Sequence, residues 1–200
     1  MSGYPQPDTS TIGDWIFPQS DTHPIRDYQL NICKHALFMN TLVCLPTGLG
    51  KTLIAAVVMY NYYRWFPTGK VIFLAPTKPL VTQQINACHG IMGIPEEDIA
   101  HLEGTVAAAK RETFWKAKRV FFCTPQTLSN DLSSGRCDPR EIVCLVVDEA
   151  HRATGQYAYT TVVQEIVHIS KRFRVLALSA TPGSDAKRIQ TVSTFSYHYT

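Results

Sequence analysis

Residues 42–52 read LVCLPTGLGKT, and the chain on either side is organised around this segment. A short apolar run leads into PTGLG at 46–50, after which Lys51 and Thr52 open a long apolar stretch. This order predicts a strand, a glycine-rich turn and a helix. Gly48 and Gly50 would let backbone N–H groups turn inward to hold phosphate oxygens, beside the positive end of the helix dipole.

Lys51 and Thr52 supply the side chains that a phosphate site needs. The lysine brings a mobile positive charge for the outer phosphates, and the threonine hydroxyl can ligate Mg²⁺. The strict phosphate-loop pattern has a glycine where Leu45 stands, so an ordinary Gly-Lys-Thr helix start is the alternative. We predict that ATP and Mg²⁺ bind here, and that the nucleotide contacts include Leu45, Pro46, Thr47, Gly48, Leu49, Gly50, Lys51 and Thr52.

Composition indicates an ordinary globular chain. With 200 residues, 45% hydrophobic and 18% charged, one domain with a sizeable core is expected. The net charge of +3 permits a nucleic-acid partner without requiring one. The start, MSGYPQPDTS, lacks the apolar core of a signal peptide, and no apolar run approaches the length of a membrane span, so no membrane partner is expected.

Six cysteines are scattered without a C-x-x-C pair. This spacing argues against a zinc site and a disulfide framework, and therefore favours a reducing, intracellular compartment. Cys44, Cys123 and Cys144 fall in apolar runs, so we expect them to pack as small hydrophobic side chains.

Apolar runs alternate with helical patterns along the chain. Strands are predicted at 42–45, 71–74, 99–102, 120–123, 142–147 and 175–178, with helices between them and one before them at 25–39. This alternation predicts a doubly wound, mainly parallel α/β sheet with helices on both faces. Residues 1–24 read as a flexible tail, in which Trp15, Ile16 and Phe17 form an apolar knot that docks on the domain.

Asp148 and Glu149 follow six consecutive apolar residues, the pattern of a central strand buried on both faces. An acid at the end of such a strand needs a cation or a donor. In phosphate-loop enzymes one such acid holds Mg²⁺, and a neighbouring acid can orient the attacking water. We assign Asp148 to the metal and Glu149 to the water, with helix capping as the alternative for both. His151 is either a polar bridge between site and sheet or a packed histidine.

Thr77, Thr105 and Thr124 each lie near a predicted helix start after a strand. The carboxyl ends of parallel strands meet at one edge of the sheet, where ligands bind in open α/β folds. Three such junctions suggest a second phosphate-lined surface, which would suit a nucleic-acid backbone. The alternative is plain N-capping. Gln29, in the first turns of the first helix, either pairs with an adenine edge or faces solvent.

The segments PTGLGKT, DEAH and SAT, at 46–52, 148–151 and 179–181, resemble the first motor lobe of superfamily 2 DEAH-box helicases in order and spacing. That family uses a proline–threonine loop, which accounts for Leu45. Residues 45–85 and 146–159 are similar in sequence to the Fanconi anaemia group M branch and its archaeal helicase–nuclease relatives. The resemblance covers roughly residues 12–186, and RDYQ at 26–29 is similar to the family's adenine-reading motif.

The resemblance implies a RecA-like phosphate-loop NTPase domain over residues 25–186. It also implies an ATP-driven DNA helicase or translocase that acts on branched DNA in repair of stalled replication forks, in the nucleus and within a DNA-repair complex. On that basis Gln29 reads adenine, while Lys51, Asp148 and Glu149 are catalytic. His151, Ser179 and Thr181 couple two lobes. Segments 74–84, 103–105 and 124–126 match nucleic-acid-contacting segments, which gives as DNA contacts Thr77, Lys78, Gly104, Thr105, Thr124 and Pro125.

Two departures from the family leave a second hypothesis open. The sequence stops soon after SAT, so the family's second lobe with its arginine finger is missing from these 200 residues, and residues 187–200 form a divergent C-terminal tail. The chain is therefore either the ATPase lobe of a DNA translocase or a nucleotide- and DNA-binding fragment without turnover of its own. A lobe of an RNA-processing or RNA-sensing helicase is a related alternative, because such proteins share these motifs.

Overall fold

Six short apolar segments form one sheet in the order β1-β6-β5-β2-β4-β3, and every neighbouring pair is parallel. The structure is a computed structural model and describes residues 14–17, 24, 26–150 and 158–180. The strands are β1 (Thr41–Cys44), β2 (Lys70–Leu74), β3 (Ile99–Leu102), β4 (Val120–Cys123), β5 (Ile142–Val147) and β6 (Arg174–Ser179). All six predicted strands are confirmed, each within one residue at either end.

Within the described ranges, six α-helices connect or precede these strands. They are α1 (Asp27–Phe38), α2 (Lys51–Trp65), α3 (Lys78–Met92), α4 (Ala108–Ala117), α5 (Pro125–Ser133) and α6 (Ala158–Ile169), with 3₁₀ helices at Glu96–Asp98 and Pro139–Glu141. The first helix is shorter than the predicted 25–39. Pro125 takes the first position of α5, where its missing N–H is not needed. None of the helices in the described ranges is both long and apolar enough to cross a membrane.

The sheet is buried between two layers of helices. Every residue of β5 and of its neighbour β2 is buried, as the uninterrupted apolar run of β5 predicts. One apolar cluster joins the sheet to α1, α2 and α3, and a second joins its other face to α4, α5 and α6. The predicted doubly wound α/β fold is therefore confirmed.

Cys44 departs from the sequence prediction. Its side chain is exposed, whereas those of Cys123 and Cys144 are fully buried in β4 and β5. The difference has a simple cause, because β1 is an edge strand and Cys44 is its last residue. A short apolar run alone does not distinguish an edge strand from a central one.

The apolar knot formed by Trp15, Ile16 and Phe17 docks on the domain, as predicted, and its contact is with α2. Trp15 and Phe17 pack against the larger apolar cluster. The fully buried amide of Asn61 accepts a hydrogen bond from the Ile16 N–H at 2.7 Å and donates one to the Ile16 carbonyl at 2.8 Å. One side chain thus replaces the strand partner that an isolated extended segment lacks. The other residues expected to form the N-terminal tail, except Pro24, lie outside the described part, as do residues 187–200.

Candidate nucleotide-binding site

The loop between β1 and α2 has the backbone that the glycine pattern predicts. Gly48 and Gly50 both have φ of +87°, a left-handed conformation that favours glycine, and Gly50 caps the N-terminus of α2. The loop is held to the sheet by a hydrogen bond from the Leu45 N–H to the Ser179 carbonyl, 3.1 Å away. The first N–H groups of α2 have no acceptor within the helix and directly follow this glycine turn, as an anion site requires.

Lys51 and Thr52 begin α2 directly after this loop. The Lys51 ammonium donates to the carbonyl oxygen of Leu45 over 2.7 Å, so its charge is held inside the turn. A phosphate oxygen would offer this ammonium a stronger, charge-assisted partner than a neutral carbonyl. The position fits the predicted role of Lys51 toward the outer phosphates, which remains a prediction.

Gln29 is buried and does not face solvent, so the solvent-facing interpretation of this residue is wrong. Its side-chain Nε2 donates to the carbonyl oxygen of Leu49 over 3.1 Å. The hydroxyl of Tyr28 donates to the same carbonyl over 2.9 Å, a contact that no sequence pattern predicts. Helix α1 and the phosphate loop therefore form one unit, and a groove of about 380 Å³ lies beside it, lined by Pro24, Arg26, Gln29, Gly48, Gly50, Thr52, Leu53, Ala87 and Ile91.

The two predicted metal ligands come together through a residue that the sequence analysis did not assign to this site. The Thr52 hydroxyl donates to Oε1 of Gln84 over 3.0 Å, and Nε2 of the same amide donates to Oδ2 of Asp148 over 3.2 Å. The Thr52 hydroxyl at the start of α2 and the Asp148 carboxylate at the end of β5 thus both bond to one amide. Hydroxyl and carboxylate oxygens are the ligands that Mg²⁺ prefers, so the residues present fit this ion.

A sequence pattern could have revealed Gln84. In α3 the buried residues Val81, Cys88 and Met92 follow helical spacing, and Gln84 stands on this stripe between the first two. A polar residue on a buried stripe requires hydrogen-bond partners. The amide finds them in Thr52 and Asp148.

Asp148 and Glu149 leave the sheet at the end of β5. Asp148 is buried, its N–H donates to the Leu74 carbonyl over 2.8 Å, and the Tyr159 hydroxyl donates to its carbonyl over 2.8 Å. The Glu149 N–H donates to Oδ1 of Asp148, and Glu149 has φ of +51°, the one positive value among the described non-glycine residues. A left-handed glutamate costs backbone energy, which is characteristic of functional sites.

The predicted DNA contacts lie at the same edge of the sheet in different settings. Thr77 and Lys78 are exposed at the start of α3, and Lys78 approaches the Glu103 carboxylate within 3.6 Å. Thr105 lies beside the exposed Gly104 and donates to Glu103 over 3.0 Å, but Ala107 and not Thr105 caps α4. The segments after β2 and β3 therefore meet through one carboxylate.

Thr124 and Pro125 are less accessible. The Thr124 hydroxyl caps α5 by accepting from the Thr127 N–H over 3.4 Å, so the N-capping interpretation describes this residue, and Pro125 is buried. Among the residues expected to couple two lobes, Ser179 is fully buried at the end of β6. His151 and Thr181 lie outside the described residues, so their roles stay predictions.

A larger groove lies elsewhere, between α6 and the C-terminal end of α5. It measures about 780 Å³ and is lined by residues such as Leu132, Pro139 and Ile169. Its lining includes none of the predicted site residues that the structure describes. The smaller groove beside the phosphate loop is the better candidate, because polar groups from three elements converge next to it.

Comparisons with known proteins agree with this arrangement. A family model described as type III restriction enzyme, res subunit, matches residues 22–184. The chain is 59% identical over 180 residues to the Fanconi anemia group M protein homolog of Mus musculus, which covers 90% of this chain and 9% of that protein. It is 55% identical over 185 residues to the ATP-dependent DNA helicase mph1 of Neurospora crassa, which covers 92% of this chain and 16% of that protein.

A solved structure shares the fold. The crystal structure of the Pyrococcus furiosus Hef helicase domain superposes with a TM-score of 0.81 at 37% identity, over 91% of this chain and 38% of that one. The predicted RecA-like fold is therefore confirmed. The chain spans 9% and 16% of the lengths of the two curated relatives.

Proposed function

The chain belongs to the type III restriction enzyme res subunit family, in the Fanconi anaemia group M branch of superfamily 2 helicases, and we propose that it forms the ATP-binding lobe of an ATP-dependent DNA helicase or translocase. One observation carries the proposal. The Thr52 hydroxyl and the Asp148 carboxylate, which come from distant parts of the sequence, meet at a single amide beside a phosphate loop. This is the arrangement that a Mg-nucleotide site requires.

Each residue of the site then has a stated task. Lys51 neutralises the outer phosphates, Thr52 and Asp148 hold the metal, and Gln29 borders the adenine. Glu149 orients the attacking water. When bound, Mg-ATP supplies the phosphoryl group and the cation that spreads its charge, while the protein supplies position and electrostatics.

The physiological role follows from the relatives. Because the relatives are named Fanconi anemia group M protein and ATP-dependent DNA helicase, we assign the chain to DNA repair in the nucleus, on branched DNA at stalled replication forks. Contacts to the DNA backbone would come from the segments that contain Thr77, Lys78 and Thr105. Protein partners would be those of a DNA-repair complex.

Turnover is proposed to need a second lobe. An arginine finger typically raises the rate of phosphoryl transfer by about 10³–10⁵. Among the described residues that line the groove, the arginine is Arg26, which donates to Tyr28 on the proposed adenine side. The 200-residue chain would therefore bind Mg-ATP and DNA, and hydrolysis would become fast when the second lobe is added.

Titration calorimetry of Mg-ATP binding tests the proposal. Lys51→Ala removes the charge that faces the phosphates, so affinity should fall about tenfold or more. Lys34→Ala, at an exposed position on α1, is the matched control and should bind as the unmodified chain does. Equal affinities in the Lys51 and Lys34 variants would refute the phosphate site.

A second measurement addresses the nucleic acid. Fluorescence anisotropy should compare forked DNA, linear duplex DNA and RNA of the same sequence and shape. Forked DNA should bind more tightly than RNA, and its binding should weaken steeply as salt rises, because backbone contacts release counterions. Tighter binding to the RNA would favour the RNA-helicase alternative instead.

A further inference from the structure

Gln84 links three elements of the candidate site. It lies two turns into α3, whose exposed start carries Thr77 and Lys78, and its side chain reaches toward the start of α2 and the end of β5. The amide is half-buried and uses both of its polar ends, the carbonyl toward Thr52 and the amino group toward Asp148. An exposed glutamine would leave these ends to water.

The direction of the two hydrogen bonds matters for metal binding. Thr52 donates its only hydroxyl proton to Oε1 of Gln84, so the oxygen lone pairs of Thr52 point away from the amide. A magnesium ligand must offer such a lone pair. Without an acceptor at this place, the hydroxyl could rotate and aim its proton at the ion.

The second bond acts on the carboxylate. Nε2 of Gln84 donates to Oδ2 of Asp148, while the Glu149 N–H donates to Oδ1. Two donors from different directions fix the plane of the carboxylate. Groups that orient metal ligands in this way typically change metal affinity by about 10–100-fold when they are removed.

We propose that Gln84 is a positioning residue, which turns the Thr52 hydroxyl and the Asp148 carboxylate into the orientation that binds nucleotide-associated Mg²⁺. The inference rests on the proposed function, since it assigns a role within the same site. Gln84 touches the two ligands and acts through them. It therefore controls how strongly Mg²⁺ strengthens nucleotide binding, and it has no effect on the nucleotide in the absence of the ion.

The test measures ATP affinity of the 200-residue chain twice, once with Mg²⁺ and once with a chelator. Gln84→Met keeps the length and helix preference of the side chain but removes both polar ends. Its affinity for Mg-ATP should fall about tenfold, while its affinity for metal-free ATP stays close to that of the unmodified chain. A loss of equal size under both conditions would mean general damage to the site and would overturn the proposal.

Asn86→Leu provides the matched control, because it replaces an exposed amide on the same helix. This variant should retain both affinities. Thermal unfolding without nucleotide identifies any variant that is not folded. If Gln84→Met fails to fold, Gln84→Leu replaces it, since this variant is also uncharged and removes both polar ends, and it should again weaken only the Mg-ATP complex.

A double-mutant cycle tests whether Gln84 acts through Thr52. Thr52→Val removes the hydroxyl at nearly constant shape. If the amide works by orienting that hydroxyl, the double variant should bind Mg-ATP more tightly than the product of the two single losses predicts. Fully multiplicative losses would show that the two residues act independently and would contradict the inference. Absence of Mg-ATP binding by the unmodified chain would instead refute the proposed function itself.

Discussion

The side chain of Gln29 is bonded to the main chain of Leu49, with Nε2 3.1 Å from the carbonyl oxygen. This contact passes directly over Gly50, where a methyl group would lie only 2.2 Å from the same Nε2. Glycine is therefore required at position 50 for two reasons: the backbone is left-handed there, and Gln29 occupies the space that a side chain would need. Gly48 has the same φ of +87°, but a methyl group on it would meet no atom of the described residues within 4 Å, its chain neighbours aside.

Replacement of the two glycines by alanine should separate these effects. Gly48→Ala should cost about 1–2 kcal/mol of unfolding free energy from backbone strain alone. Gly50→Ala should cost about 1–3 kcal/mol more, because the displaced Gln29 amide is buried and loses its acceptor. Urea unfolding of the two variants measures the difference.

The Gln29→Ala background provides the control for this comparison. With the amide removed, Gly48→Ala and Gly50→Ala should become equally destabilising. A difference that persists in this background would mean that Gln29 is not its cause.

Glu103 should restrain DNA binding. Its carboxylate holds Lys78 at 3.6 Å and accepts from Thr105 at 3.0 Å, and the hydrogen bond from Thr105 is the largest influence that lowers the pKa of Glu103. Glu103→Gln removes a negative charge from the second phosphate-lined surface and releases Lys78 from its ion pair. Affinity for duplex DNA, measured by fluorescence anisotropy, should rise about threefold to tenfold at low salt.

Lys78→Ala is the opposite change on the same phosphate-lined surface, since it removes a positive charge. It should weaken binding to all DNA sequences alike and lower the slope of log affinity against log salt by about one. An unchanged salt slope in this variant would remove Lys78 from the predicted contacts.

Asp131 should be the costliest single acid to lose among those outside the nucleotide site. It is fully buried and accepts from Arg111 at 3.0 Å, Arg136 at 2.7 Å and Trp115 at 2.9 Å. Arg111 also donates to the carbonyl of Val106, next to the segment 103–105. Asp131→Ala leaves a buried guanidinium without its carboxylate and should cost about 3–5 kcal/mol in urea unfolding.

Asp138→Ala is the matched control for Asp131. Asp138 pairs with the exposed Arg140, where water screens the interaction. Its loss also removes the cap of the 3₁₀ helix Pro139–Glu141, yet it should cost far less than the loss of Asp131. Similar losses for the two aspartates would contradict the importance of burial.

Alkaline pH should unfold the chain through its buried thiols. Burial raises the pKa values of Cys33, Cys88 and Cys144 from 9.0 to about 12. The folded chain therefore keeps protons that the unfolded chain loses above pH 9, so this stability is present below pH 9 and is lost as pH rises toward 12. Each thiol should remove about 1.4 kcal/mol per pH unit, and these three together about 4 kcal/mol.

Lys70 opposes this trend, since burial lowers its pKa from 10.5 and the unfolded chain holds that proton longer. One lysine can offset at most one thiol, so the net change above about pH 9 remains a loss. Urea unfolding between about pH 8 and about pH 10.5 measures the slope. Cys144→Val should reduce it by about 1.4 kcal/mol per pH unit, whereas an unchanged slope would show that the thiol does not titrate as described.

The sheet could be predicted because the amino-acid composition of each strand indicates whether its side chains are buried. The six-residue run of β5 is apolar throughout, and the structure buries all six side chains at the centre of the sheet. The conformation of the turn at Gly48 and Gly50 could be predicted equally well, since the loop has positive φ at both positions. Local patterns sufficed wherever one segment determined its own environment.

Contacts between distant segments could not be read in this way. Gln84 and Asp148 are 64 residues apart, and they meet because α3 packs beside α2 while β5 pairs with β2. The burial of Gln29 depends on the position of Leu49, and the exposure of Cys44 depends on the place of β1 at the sheet edge. Each of these three features depends on how distant segments pack in three dimensions, which no single segment of the sequence encodes.

The pairing of β1 with β6 has a consequence for synthesis of the chain. On the ribosome, residues 42–52 emerge early, but the strand that supports them, Arg174–Ser179, is translated last among the six. The Leu45 N–H finds its Ser179 acceptor only after that strand has left the exit tunnel. Nascent chains stalled before Arg174 should therefore carry the complete phosphate-loop sequence without the ability to capture ATP, so nucleotide capture would mark the completion of this sheet during translation.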